Sequence, residues 1–267
     1  MKRIVWWLIA FAGLGLIGLI IYNAMRSPEQ PVVAQPALTT EASPPAPPAE
    51  PEIRHPVPGM PPEKPLPALD TSDTTMRNVL AELLADKALI ELPVLAEFVR
   101  RVVATIDNLP RRQVAPRLWP LKRAPGRFAI SGDNENATIA AVNAGRYAIY
   151  VRLAEALDSG KLAALYFHYY PLFQQAYRDL GYPKGHFNDR LVEVIDHLLA
   201  APELQGPVAL VRPKVFYLYA DPDLESRSAG QKILMRMGAA NAVRIKAKLR
   251  EIRGEIADRS ASLSKSK

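Results

Sequence analysis

Asp189, Glu193 and His197 are spaced four residues apart, with Asp196 beside them. On a helix this spacing stacks two carboxylates and an imidazole on one face. Such a set can ligate a divalent metal, or divide acid and base roles between carboxylate and imidazole. Leu191, Val194, Ile195 and Leu198 fall on the other face. A polar row opposite an apolar stripe is also what any amphipathic surface helix carries. The surface-helix reading is preferred, and a metal or acid–base site at Asp189, Glu193 and His197 is the alternative. A second group is basic. Arg111, Arg112, Arg117, Lys122 and Arg123, followed by Arg127, lie in a stretch that holds no acidic residue and is broken by Pro116, Pro120 and Pro125. Guanidinium forks suit carboxylates, phosphates and lipid headgroups, and long irregular loops inside domains are commonly functional. Arg111, Arg112, Arg117, Lys122 and Arg123 are therefore the candidate binding residues, weighed against a merely solvated basic surface.

Other chemistry is excluded more directly. The chain has no Cys, which removes disulfides, thiolate metal sites and cysteine nucleophiles. The stretch 221–232 begins like a calcium loop, but Ser226 stands where Gly is needed and Lys232 where Glu is needed. No nucleophile-elbow, phosphate-loop or His-Glu-x-x-His motif occurs. Gly13-Leu14-Gly15-Leu16-Ile17-Gly18 has the letters of a dinucleotide fingerprint, but lies within an apolar run instead of a strand–turn–helix. No cofactor is expected, and an enzyme is the less favoured reading.

The elements needed to position these residues are helical. Val79, Leu80, Leu83 and Leu84 recur at helical spacing. Pro93 suits the first turn of a second helix, with Val94, Phe98, Val99, Val102, Val103 and Ile106 as its buried stripe. A short hairpin around Ser131-Gly132-Asp133 is expected from 127–130 and 137–139. Tyr147, Tyr150, Val151, Ala154 and Leu157 mark a further helix. The next is capped by Asp158 or Ser159, kinked by Pro171 and stopped by Gly181. Asn188 is the expected cap of the helix carrying Asp189, Glu193 and His197. Val215 to Tyr219 has strand composition, although so short a run is ambiguous. Ser228 caps a helix ending near Gly238. A last helix starts near Ala240. Its seam of Ala242, Ile245, Leu249, Ile252 and Ile256 is short for a coiled coil, so it should dock on the domain's own helices with Lys246, Arg250 and Arg253 in water. The fold class is mainly α, with one short β-hairpin.

The N-terminal third is a different polymer. Residues 4–22 are uncharged and apolar, and as a helix would span roughly 28 Å, close to a bilayer's hydrocarbon thickness. Trp6, Trp7 and Tyr22 sit near its ends. The length of the run and the bulky Ile20, Ile21 and Tyr22 favour an uncleaved anchor over a signal peptide. Lys2 and Arg3 before it, against Arg26 alone close after it, place the N-terminus inside. Residues 23–69 hold most of the chain's 25 prolines and are expected to be disordered with polyproline II character. The expected organisation is 1–3 cytoplasmic, 4–22 transmembrane, 23–69 linker, 70–256 helical domain and 257–267 a disordered polar tail. The net charge is +7 with a pI of about 9.6. That excess suits an anionic partner, and nucleic acid conflicts with the outside location.

Four stretches carry a family resemblance: Ala104-Thr105-Ile106-Asp107-Asn108-Leu109-Pro110, Val114-Ala115-Pro116-Arg117, residues 187–197 and Ser228-Ala229-Gly230-Gln231-Lys232. Together they resemble the bacterial domain of unknown function 3014, over roughly residues 66–253. The resemblance implies a membrane-anchored bacterial protein with no assigned activity, and supplies no catalytic residue. The resulting expectation is a single-pass inner-membrane protein whose periplasmic domain binds or scaffolds an anionic partner in the cell envelope. The alternative is an envelope enzyme or metal-binding protein using the Asp189, Glu193 and His197 face.

Overall fold

Apolar stripes at helical spacing become helices in the computed structural model, which describes residues 52–57, 65–84, 86–133 and 136–264, with side chains up to 257. The apolar run 4–22 and most of the linker lie outside the described residues. Among the described residues no helix is long and apolar enough to cross a membrane.

The order is a 3-10 turn Leu69–Thr71, then α1 Asp73–Leu83, α2 Lys87–Ile90, α3 Phe98–Asn108, a 3-10 turn Pro116–Leu118, β1 Ile130–Ser131 and β2 Thr138–Ile139. It continues with α4 Asn143–Ala156, α5 Ser159–His168, α6 Tyr170–Asp179, α7 Phe187–Leu199, β3 Leu210–Val211, β4 Leu218–Tyr219, α8 Pro222–Ser226, α9 Ala229–Arg236 and α10 Ala239–Ser264. The domain is thus mainly helical, with two short antiparallel strand pairs where one hairpin was expected. Ile130 faces Ile139 in the first, and Leu210 faces Tyr219 in the second. The Val215 to Tyr219 run contributes only its last two residues as strand. Its partner, Leu210–Val211, is too short to signal itself by periodicity.

Helix α7 is the centre. It packs on α3, α6, α9 and α10, while α10 also covers α4 and α5. The α10 seam docks on the domain: Ala242, Ile245 and Leu249 meet Val194, Leu198 and Leu234, and Ile256 meets Ala163, Val192 and Ile195.

Several boundaries differ from expectation for local reasons. Pro93 does not open α3. It bridges to Leu121, with Val94 N–H donating to the Pro120 carbonyl and Lys122 N–H to the Leu92 carbonyl, both at 2.8 Å. Helix α3 starts at Phe98, after Glu97 turns to φ +52°. Its first amides are capped from outside by Asp73, which accepts from Glu97 N–H at 2.8 Å and Phe98 N–H at 3.0 Å. The helix expected to kink at Pro171 is instead two helices. They meet at Tyr169, and Pro171 occupies the first turn of α6, where its missing N–H leaves no bond unmade. Helix α10 continues to Ser264, through residues expected to be tail. Lys246 does not face water: its side chain is 4% exposed, and its ammonium donates to the Ala201 carbonyl at 2.6 Å.

Candidate functional site

Three of the stretches that carry the family resemblance converge on one place, the C-terminal end of α3, the face of α7 and the start of α9. At its centre is Asp107, whose side chain is 1% exposed. Its Oδ1 accepts from Arg190 Nε at 3.1 Å, and its Oδ2 from Arg111 Nη2 at 2.7 Å and from the Tyr182 hydroxyl at 3.2 Å. Arg190 also donates to the Asp107 carbonyl at 2.8 Å and to Glu193 Oε1 at 2.9 Å. A buried carboxylate needs this many donors, because an unpaired one would be expelled or neutralised. Beside it, α9 is sewn to the chain after α3. Gly230 N–H donates to the Leu109 carbonyl at 2.9 Å and Ala229 N–H to the Arg111 carbonyl at 2.7 Å.

The Asp189, Glu193 and His197 row is a face of one helix, as the spacing predicts, but each group has its own partner. Asp189 accepts from the amides of Arg54 at 3.1 Å and His55 at 2.7 Å. Asn188 does not cap its helix. Its Nδ2 donates to the His55 carbonyl at 2.9 Å, and its Oδ1 accepts from the Tyr166 hydroxyl at 3.0 Å. Residues 52–57, inside the stretch expected to be disordered, are thereby pinned over the first turn of α7, and Val57 packs on the cluster of Val192 and Ile195. Glu193 pairs with Arg190. His197 Nε2 lies 2.8 Å from Ser228 Oγ, which also accepts from Gln231 N–H at 3.2 Å. Burial, then the charges of Arg190 and Arg227 against that of Glu193, lowers the His197 pKa and favours the neutral ring. Among the described residues no group of three or more His, Asp or Glu is arranged to hold a metal ion. The three groups share one face but do not converge on a common point, since each is held by a different partner.

The basic stretch is also divided. Arg111 belongs to the Asp107 cluster, and Lys122 reaches Glu91 at 3.5 Å. Arg112, Arg117, Arg123 and Arg127 are exposed. The Arg117 carbonyl accepts from the Arg101 guanidinium, which ties this loop to α3. The acidic partners of Arg111 and Lys122 come from flanking elements, so they are absent from the stretch itself. On α10, Arg244 pairs with Glu155, Lys248 with Glu251 and Arg253 with Asp196, while Arg250 is exposed.

Two features have no forerunner among the candidate residues. The turn between β3 and β4 presents Val215 at 70% and Phe216 at 79% exposure. Arg212, which lies over the Tyr217 ring at 5.3 Å, and Lys214 precede them. Phe128 packs on Tyr217 at 6.4 Å, which brings the end of the basic stretch alongside. The second feature is an apolar cavity of about 440 Å³ bounded by α1, α3, α5, α7 and α10. Val79, Leu83, Val102, Ile106, Leu191 and Ile252, all on stripes that sequence reads as core, line it and remain only half-buried. Periodicity reports which side of a helix turns inward, not whether the interior is filled.

The family described as "Protein of unknown function (DUF3014)" matches residues 98–253, from the start of α3 through most of α10. No curated protein and no solved structure matches the chain.

Proposed function

The chain belongs to that family of proteins of unknown function, and from this premise we propose a tethered binding protein of the bacterial cell envelope whose domain contacts an anionic membrane surface. In this reading residues 4–22 are a single inner-membrane span, the proline-rich linker follows, and the helical domain lies in the periplasm. The observation that carries the contact is the β3–β4 turn. An exposed Val215-Phe216 pair directly after Arg212 and Lys214 has the make-up of an interfacial anchor: an aromatic for the headgroup boundary and cations for anionic lipid. Arg127, next to the Phe128 that packs on Tyr217, extends the cationic side. A binding role is favoured over catalysis because Asp107, Asp189, Glu193 and His197 are engaged in holding elements together.

The absence of cysteine makes the test simple. Phe216→Cys in the full-length chain, labelled with the polarity-sensitive dye NBD, is reconstituted into vesicles. With phosphatidylglycerol present, the emission should shift to the blue and be quenched by lipids carrying chain nitroxides. With phosphatidylcholine alone, at high salt, or with Arg212→Glu and Lys214→Glu, it should resemble the dye in water. A water-like dye in every vesicle would sink the reading.

A further inference from the structure

Protein interiors are packed as densely as organic crystals, and voids larger than a water molecule are few. The partly open apolar cavity of about 440 Å³ between the helices departs from this rule. A water occupies about 30 Å³ of liquid and a methylene group is of similar bulk, so the space takes about fifteen such units. Water is a poor occupant, because a buried water needs two to four polar partners. The lining is apolar side chains apart from the hydroxyls of Tyr166 and Tyr169. The Tyr166 hydroxyl already donates to Asn188, and burial, with Tyr170 and Asp189 nearby, holds its pKa well above the usual phenol range. The cost of leaving an apolar cavity empty rises with its volume.

We propose that this cavity is a binding site for one linear acyl chain, of a fatty acid or of a phospholipid. Its size lies within the range of small-molecule pockets, and its chemistry is that of an apolar ligand with no charge inside. Its shape favours a chain over a ring system. The lining helices pack in series, α1 on α3, α3 on α7 and α7 on α10, and the cavity has walls from the first to the last of them. A fixed volume drawn out over three interhelix spacings is narrow. The half-buried state of Val79, Leu83, Val102, Ile106 and Leu191 follows from this reading: their faces turn inward onto ligand instead of onto another helix. Residues 52–57 are not part of the lining of the space.

The test uses the full-length chain in bacterial cells fed a palmitic acid analogue that carries a mid-chain diazirine and a terminal alkyne. After irradiation the chain is isolated, digested and mapped for adducts. Adducts should fall on cavity residues of α1, α3 and α7, such as Leu83, Val102 and Leu191. The intact adduct mass separates a free fatty acid from a phospholipid, and either supports the site. Val102→Phe with Leu191→Phe narrows the cavity. It should lower domain adducts at least tenfold without lowering the melting temperature, while any labelling of residues 4–22 stays constant. Should this double variant fail to fold, the unsubstituted map decides alone. Domain adducts that are absent, or scattered over the outer surface, overturn the proposal. The readout is independent of the dye at position 216, so the surface contact and the cavity can fail separately.

Discussion

Asp107 shows how a carboxylate that water does not reach can organise a fold. Removing it would leave Arg190, whose side chain is 19% exposed, with Glu193 as its remaining acidic partner. Breaking a buried pair by deleting one member costs about 3–5 kcal/mol, because the other charge stays desolvated. Asp107→Ala should approach the lower end, since Arg111 is 55% exposed and can turn to solvent. Chemical denaturation measures this directly, and a loss under about 1 kcal/mol, within the range of an exposed ion pair, would demote the cluster to a surface contact. His197 gives a pH dependence of defined sign. Its folded pKa lies below 6.5, so as pH falls through 6.5 the unfolded chain takes up a proton that the native ring resists. The stability linked to His197 is therefore complete above 6.5 and declines as pH drops toward the folded pKa. The melting temperature should fall between pH 7.5 and 5, and His197→Gln should flatten that window. The lowered carboxylates Glu155, Glu225 and Glu251 lose their contribution separately, below 4.5.

Among elements, the start of α9 is tightly fitted. A Cβ on Gly230 would meet Leu198 Cδ2 at 2.5 Å and the Leu109 carbonyl oxygen at 3.1 Å. The leucine can swing aside, but the backbone carbonyl is held by the Gly230 amide itself. Gly230→Ala should thus be mild and Gly230→Val should cost about 1–3 kcal/mol from overpacking, as read in thermal melts. Equal melts for both variants would show that α9 is free to move off α3. Much at this scale was legible in sequence. Ser228 caps α9 by accepting from Gln231, and Asp158 caps α5 by accepting from Lys161 N–H at 2.7 Å. Gly238 ends the turn before α10 at φ +89°. These are local signals, carried by residues within three or four positions of the element they punctuate. The Phe98 start of α3 was not legible, because its cap is Asp73. The α7 start was not legible either, because Phe187 N–H donates to Gln174 at 2.9 Å while Asn188 faces residue 55. A cap supplied from a distant element leaves no mark at the helix it caps.

At the scale of the molecule, sequence spacing identified the α7 face but not what the face holds. Asp189 receives two amides from 134 and 135 residues away, a pairing no local pattern encodes. The consequence is that the linker does not hang free from the domain at residue 70: residues 52–57 are part of it. Hydrogen bonds to a charged group contribute about 1.5–3 kcal/mol each. Asp189→Ala should therefore release this segment and raise the rate of tryptic cleavage after Arg54 at least tenfold, with cleavage after the exposed Arg77 unchanged. Equal rates at both sites in wild type and variant would mean that Asp189 does not retain the segment. This geometry also sharpens the topology proposed for the chain. If residues 4–22 span a bilayer, only residues 23–51 separate the span from a domain that begins, in effect, at 52. Fully extended at about 3.1 Å per residue, that linker reaches roughly 90 Å, where the full stretch to 69 would reach roughly 140 Å. The domain then stays close to the membrane on whichever side it emerges. In the proposed reading that side is outside, on the charge bias of Lys2 and Arg3 against Arg26 alone. Alkaline phosphatase fused after Lys267 should accordingly be active, since that enzyme requires export, and a cytoplasmic reporter at the same junction should be silent. The reverse pair of results would put the domain in the cytoplasm and remove the periplasmic part of the reading, while leaving the cavity and the β3–β4 turn to be judged by their own experiments.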